Sequence, residues 1–98
     1  MKRFRVDIPP HVAKSIRHLP PDLKHSIKSA LRFLSVDPES GVPLVKELDG
    51  YWKYRVKRFR IVYSTDRRTK VLRVVAIGHR QGIYEEVAKL IHKEKSPE

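Results

Sequence analysis

Tyr51-Trp52-Lys53-Tyr54-Arg55-Val56-Lys57-Arg58-Phe59-Arg60-Ile61-Val62-Tyr63-Ser64-Thr65 alternates in character on both sides of its centre. Period-two alternation marks strands, so Tyr51 to Lys57 and Phe59 to Thr65 read as a hairpin turning at Lys57-Arg58. That turn sets Val56 opposite Phe59, Arg55 opposite Arg60, Tyr54 opposite Ile61, Lys53 opposite Val62 and Trp52 opposite Tyr63. Side chains alternate across a strand, so Trp52, Tyr54, Val56, Phe59, Ile61 and Tyr63 share one apolar face. The other face carries Lys53, Arg55 and Arg60. Like charges directly opposite each other cost roughly a few tenths of a kcal/mol. A chain that keeps this clash suits an anion, and the same pattern also suits the solvated outer face of a basic protein. The turn lacks the Asn-Gly or Asp-Gly that tight hairpins favour.

Downstream, Asp66-Arg67-Arg68-Thr69 reads as a turn and Val71 to Ile77 as a central strand. Gly78-His79-Arg80-Gln81-Gly82-Ile83-Tyr84 leads into a helix with an apolar stripe of Ile83, Val87 and Leu90, joined by Tyr84, Ala88 and Ile91. Its last residues, Glu94 to Glu98, are expected to fray. Upstream, Arg3 to Ile8 alternates as a strand that Pro9-Pro10 ends. His11 to Leu19 spaces Val12, Ile16 and Leu19 as a short amphipathic helix. Pro20-Pro21 breaks it, and Asp22 puts a carboxylate at the positive end of the next helix. That second helix buries Leu23, Ile27, Ala30, Leu31 and Leu34 and turns Lys24, His25, Lys28 and Arg32 outward. Asp37 to Gly41 is loop chemistry. The order β-α-α-β-β-β-α predicts an α+β fold. A mainly antiparallel twisted sheet carries the helical hairpin on one face, with a C-terminal helix beyond it.

The 98 residues suffice for one domain, spanning 1–98, with a single modest core. Lys and Arg number 22 against 11 Asp and Glu, a formal charge of +11 that favours nucleic acid, an acidic protein or an anionic membrane. There is no cysteine, so disulfides, thiol catalysis and thiolate metal sites are excluded. The five histidines, His11, His18, His25, His79 and His92, form no compact metal-ligand motif, and neither metal nor cofactor is expected. No apolar run approaches membrane-spanning length, and Met1 to Asp7 lacks a signal-peptide core, so a cytoplasmic protein is expected.

Over nearly its whole length the chain resembles the RelE/ParE superfamily of bacterial and archaeal toxins from toxin–antitoxin modules. The likeness rests on the element order, on Leu48 to Val56, on Phe59 to Tyr63, and on Ile77-Gly78-His79-Arg80 followed by Ile83-Tyr84. RelE-type members are ribosome-dependent endoribonucleases that cut messenger RNA in the ribosomal A site, whereas ParE-type members poison DNA gyrase. Carried over by position, the RelE-type active set falls on Lys53, Arg55, Arg60, Arg80 and Tyr84. Arg55 occupies a place where lysine also occurs, keeping the charge but giving up proton transfer. His79 is an additional candidate acid or base. Some relatives use a glutamate base before the first hairpin strand, but here that neighbourhood is Gly41-Val42-Pro43-Leu44, and Glu47 does not match.

The resemblance implies metal-independent cleavage by 2′-hydroxyl attack. Lys53 would deprotonate or orient the hydroxyl, Arg55 and Arg60 would hold the phosphate, Arg80 would serve the leaving side, and Tyr84 would stack or hydrogen-bond. Lys57, Arg58, Lys28 and Arg32 would add salt-sensitive RNA contacts. Bottom-up, Tyr84 suits packing equally well, and only the resemblance gives it a role. The implied partners are the ribosome, messenger RNA and an acidic antitoxin, which would form a hetero-oligomer by covering the active face or by displacing the last helix at Ile83, Val87 and Leu90. A ParE-like gyrase inhibitor and a catalytically inert RNA-binding relative are the alternatives.

Overall fold

The computed structural model describes residues 3–79 and 82–95. Its elements run β1 (Arg5–Asp7), α1 (Pro10–Arg17), α2 (Pro21–Val36), β2 (Val42–Pro43), β3 (Trp52–Val56), β4 (Phe59–Asp66), β5 (Val71–Gly78) and α3 (Gly82–Lys95). Single 3₁₀ turns at Pro38–Ser40 and Lys46–Leu48 flank β2. Pairing between β3 and β4 follows the register read from the alternation, from Trp52 opposite Tyr63 to Val56 opposite Phe59. The hairpin closes without a glycine because Lys57 itself takes the left-handed conformation, at φ 55°.

The five strands lie in the order β1-β5-β4-β3-β2. All neighbours are antiparallel except β1 and β5, which run parallel with Arg5 beside Val71 and Asp7 beside Arg73. The sheet is therefore mixed. β2 is an addition to the expected order: two residues, Val42 and Pro43, pair with Lys53 and Trp52. Two residues cannot display an alternation, and a proline is tolerated only at such an edge.

Both helices of the hairpin begin with proline, whose fixed φ suits the first turn and whose missing N–H costs nothing there. The expected extension of α1 to Leu19 stops at Arg17, with His18 and Leu19 bonding back to the Ser15 and Ile16 carbonyls before Pro20 turns the chain. Asp22 stands in the first turn of α2 as expected. The hairpin buries Val12, Ile16, Ile27, Leu31 and Leu34 against Val56, Ile61, Tyr63, Leu72 and Val74 of the sheet. Each such fully buried aliphatic chain contributes about 1.5–3 kcal/mol.

A second, smaller core occupies the other face, where Ile83, Val87 and Ile91 of α3 pack on Val62 and Ala76. Three layers result: helical hairpin, sheet and α3. The two cores are compatible with one sheet because of an irregularity between Val62 and Tyr63. Tyr63 pairs with Val74 while Val62 pairs with Ala76, leaving Val75 as an extra residue. A bulge of this kind reverses side-chain parity, so Leu72 and Val74 serve the first core and Ala76 the second. Among the described residues, no helix is long and apolar enough to cross a membrane.

Candidate functional site

Strand parity places Lys53, Arg55 and Arg60 on the face that α3 covers, beside the start of that helix. Arg55 is exposed, while Lys53 and Arg60 are half-buried. The Arg55 Nε donates to the Lys57 carbonyl at 3.0 Å, so the guanidinium is held at the turn end of the hairpin. The Lys53 ammonium lies 5.8 Å from the centre of the Tyr84 ring, within cation–π range. Among the described residues the ion pairs are Arg67 with Glu39 and Arg73 with Asp7, so none of the three cations has an acidic partner there. Three cations uncompensated among the described residues thus stand on adjacent strands, a concentration of positive potential.

Gly78 lies opposite Arg60 and allows α3 to come this close. A Cβ at Gly78 would stand 3.1 Å from Ile83 Cδ1, so the first turn of the helix rests directly on the glycine backbone. Tyr84 follows at the edge of the second core, against which Leu44 and Leu48 of the connector before β3 also pack. Its hydroxyl is buried without a hydrogen-bond partner among the described residues. An orphaned hydroxyl costs about 1–3 kcal/mol, so its retention is unexplained by packing alone.

His79 stands apart from this group. Its ring stacks on Phe59, centroids 5.2 Å apart and planes inclined by 23°, and Phe59 packs with the opposite core. The bulge between Val62 and Tyr63 is the cause: it restores Ile77 to the hairpin side and Gly78 to the α3 side, and His79 follows to the hairpin side. Arg80 lies outside the described residues. Lys57 and Arg58 are exposed at the turn, beside Arg55. Lys28 and Arg32 are exposed on α2, in the layer across the sheet from Lys53, Arg55 and Arg60. In α3, Ile83 and Val87 are buried and Ile91 completes their stripe, while Leu90 stays 38% exposed. The i, i+4, i+8 series simply outcompetes the expected Leu90 for the sheet.

Two supporting residues went unmarked in the sequence. Gly41 crosses so near β3 that an added Cβ would stand 2.5 Å from both the Lys53 carbonyl oxygen and the Tyr63 hydroxyl. Tyr63, fully buried, donates its hydroxyl to the Pro38 carbonyl at 2.8 Å and pins the same loop. Burial pushes its phenol up to about 12. Gly41 had been visible only as loop punctuation, and Tyr63 only as a core aromatic. At the far end of the hairpin, the Thr69 and Arg68 amides donate to Asp66 and hold its carboxyl below the ordinary range. Among the described residues, no group of three or more His, Asp and Glu could hold a metal ion.

Residues 6–84 match the family model described as the ParE toxin of the type II toxin–antitoxin system, parDE. No curated protein sequence matches the chain significantly. Among solved structures, a mutant of the Escherichia coli toxin RelE in the free state shares 22% identity, with a TM-score of 0.74 over 93% of this chain and 99% of that one. The RelBE2 toxin–antitoxin complex of Mycobacterium tuberculosis gives 23% identity and a TM-score of 0.73, covering 82% of this chain and 94% of the other. The archaeal RelE–RelB complex of Pyrococcus horikoshii gives 21% and 0.68, over 81% and 97%. At these identities the likeness establishes the fold, and the mixed sheet with its three helices matches that of the RelE toxins.

Proposed function

The chain belongs to the ParE toxin family of type II toxin–antitoxin systems, within the RelE/ParE superfamily, and from that premise we propose that it is a metal-independent endoribonuclease acting on messenger RNA in the ribosomal A site. The observation that carries this reading is the convergence of Lys53, Arg55 and Arg60, uncompensated among the described residues, beside Tyr84. A scaffold that served only to bind protein has no need for two arginines placed directly opposite each other.

In-line cleavage begins when the ribose 2′-oxygen attacks the adjacent phosphorus as its proton leaves. Lys53 orients the hydroxyl and stabilises the developing oxyanion while the proton passes to a water molecule. Arg55 and Arg60 bind the phosphate oxygens and stabilise the charge that grows on them in the transition state. Tyr84 presents its ring to a base. The bond to the 5′-oxygen breaks, with Arg80 stabilising that oxygen as it takes up a proton from water. The products are a 2′,3′-cyclic phosphate and a 5′-hydroxyl. The chain offers cations and no carboxylate in this set, so ribosomal RNA supplies part of the positioning that makes attack in-line. The toxin acts in the cytoplasm and is silenced there by an acidic antitoxin in a hetero-oligomer.

Matching of residues 6–84 to the ParE description favours a second reading, inhibition of DNA gyrase. Primer-extension mapping of a defined messenger in a reconstituted translation system separates the two, with wild type and Arg60→Ala run side by side. Discrete A-site cuts by the wild type alone support the nuclease. Intact message together with inhibited supercoiling by gyrase establishes the second reading, and ribosome association without either effect establishes an inert RNA-binding relative.

A further inference from the structure

On the α3 side of the sheet, at the opposite end of the helix from Arg60, a cavity of about 230 Å³ opens between α3, β4, β5, Tyr51 just before β3, and the entry to α1. Its polar walls are His11, Tyr51, Ser64 and Arg73, and its apolar walls include Leu90 and Ile91. At roughly 30 Å³ per water in the liquid, the space equals about seven or eight waters, enough for one branched aliphatic side chain and an adjoining polar group. A shallower hollow shares Ser64 and Arg73 and continues toward Thr65 and Arg67.

The polar chemistry of the inner cavity is one-sided. Ser64 and Tyr51 bring hydroxyls, Arg73 a guanidinium and His11 an imidazole, and among the described residues no carboxylate lines it. Arg73 spends only its Nε on Asp7, at 3.1 Å, which leaves its terminal nitrogens as donors. His11 Nε2 donates to the Val75 carbonyl at 3.2 Å, which fixes the ring on the cavity wall. Leu90 remains exposed at the rim although the rest of its helix face is buried. Donors and a cation beside an open apolar wall, in a chain of net charge +11, complement an aliphatic side chain flanked by carboxylates.

We propose that this cavity is an anchor point for an acidic, partly apolar segment of the antitoxin, which docks there with α3 still seated on the sheet. This deepens the partner reading above and rests on it, while being independent of whether the toxin cleaves RNA. Displacement of α3 would expose Ile83, Val87 and Ile91 at the cost of the whole second core, whereas Leu90 and the cavity are accessible without any movement. Two anchor contacts of this sort supply modest affinity alone and gain from being tethered to further contacts along the partner.

The test uses the whole protein and the blocked peptide acetyl-Glu-Leu-Glu-amide, followed by methyl and imidazole NMR shifts, with the Gln-Leu-Gln and Glu-Ser-Glu peptides as comparisons. Saturable shifts are expected at Leu90, Ile91 and His11 and not at Ile83 or Val87. The Gln-Leu-Gln peptide should bind about fivefold more weakly, as expected for replacing charge-assisted by neutral hydrogen bonds. Arg73→Gln should abolish that difference, and Leu90→Ser should remove the advantage of Leu over Ser in the peptide. Both positions are exposed enough to tolerate the change. Equal binding of the Glu and Gln peptides, shifts confined to the Lys53 and Arg55 face, or shifts at Ile83 and Val87 would each overturn the proposal. Because no RNA is present, none of these outcomes depends on the nuclease assay.

Discussion

Arg55 and Arg60 face each other across the β3–β4 hairpin with no acidic residue between them among the described residues. Their repulsion is a small standing cost that a bound phosphate removes. At low ionic strength, Arg60→Ala is expected to leave stability unchanged or to raise it by a few tenths of a kcal/mol. Inorganic phosphate should raise the Tm of the wild type and should do so less in the variant. Cleavage should fall by about a hundred- to a thousandfold, the usual loss when a charge-stabilising donor is removed. Thermal melts and single-turnover cleavage measure both.

Lys53 and Lys28 lie in different layers of the molecule and should differ in kind. Lys53→Ala is expected to lower the cleavage rate about a hundredfold or more even at saturating substrate. Lys28→Ala should leave that rate alone and reduce the log–log salt slope of RNA binding by about 0.7 at most. Equal behaviour of the two variants would mean that overall charge, rather than a shaped site, carries the activity.

Tyr84 supports an unusual pairing of effects. Its hydroxyl has no partner among the described residues, so Tyr84→Phe relieves a buried polar group and should stabilise the fold by up to about 1 kcal/mol. The same variant keeps the ring and should cleave at close to the wild-type rate, because a buried hydroxyl does not reach the ribose. Urea denaturation beside a cleavage assay tests the combination, and a loss of stability in the variant would show that the hydroxyl is already satisfied.

Alkaline pH should loosen the molecule through Tyr63. Burial raises its phenol from the ordinary 10.0 to about 12, so the fold prefers the neutral form. Stability from this residue is fully present below pH 10.0 and is lost as pH rises toward 12. Tyr63→Phe should flatten that alkaline decline and, by leaving the Pro38 carbonyl unpaired, cost about 1 kcal/mol at neutral pH. Chemical denaturation across pH 8 to 12 follows the effect.

Gly41→Ala forces a methyl against the Lys53 carbonyl. The loop or the strand must shift, and the expected result is a fold weakened by about 1–3 kcal/mol with Lys53 displaced from its position opposite Val62. Amide shifts of Lys53 and Tyr63 compared with the wild type report the displacement.

The hairpin was legible because alternation on both strands admits only one register that gathers the apolar side chains, and Trp52 to Tyr63 obey it. The helical hairpin was legible because paired prolines delimit two amphipathic stretches. β2 was hidden because Val42 and Pro43 are too few to carry a period. The fate of His79 was hidden for a deeper reason: a bulge at Val62 and Tyr63 changes which face each later residue of β5 serves, and it leaves no mark in composition or spacing. The orphaned Tyr84 hydroxyl was beyond reach as well, since it depends on how α3 meets the Leu44 to Leu48 connector.

The parallel pairing of Arg5 with Val71 joins the first strand to the last. During synthesis the first strand emerges early and must wait unpaired until β5 exists, as must the antiparallel partner of β4. The cationic face is therefore completed only when most of the polypeptide has been made. A chain lacking β5 would carry Lys53, Arg55 and Arg60 without the strand against which α3 seats beside them.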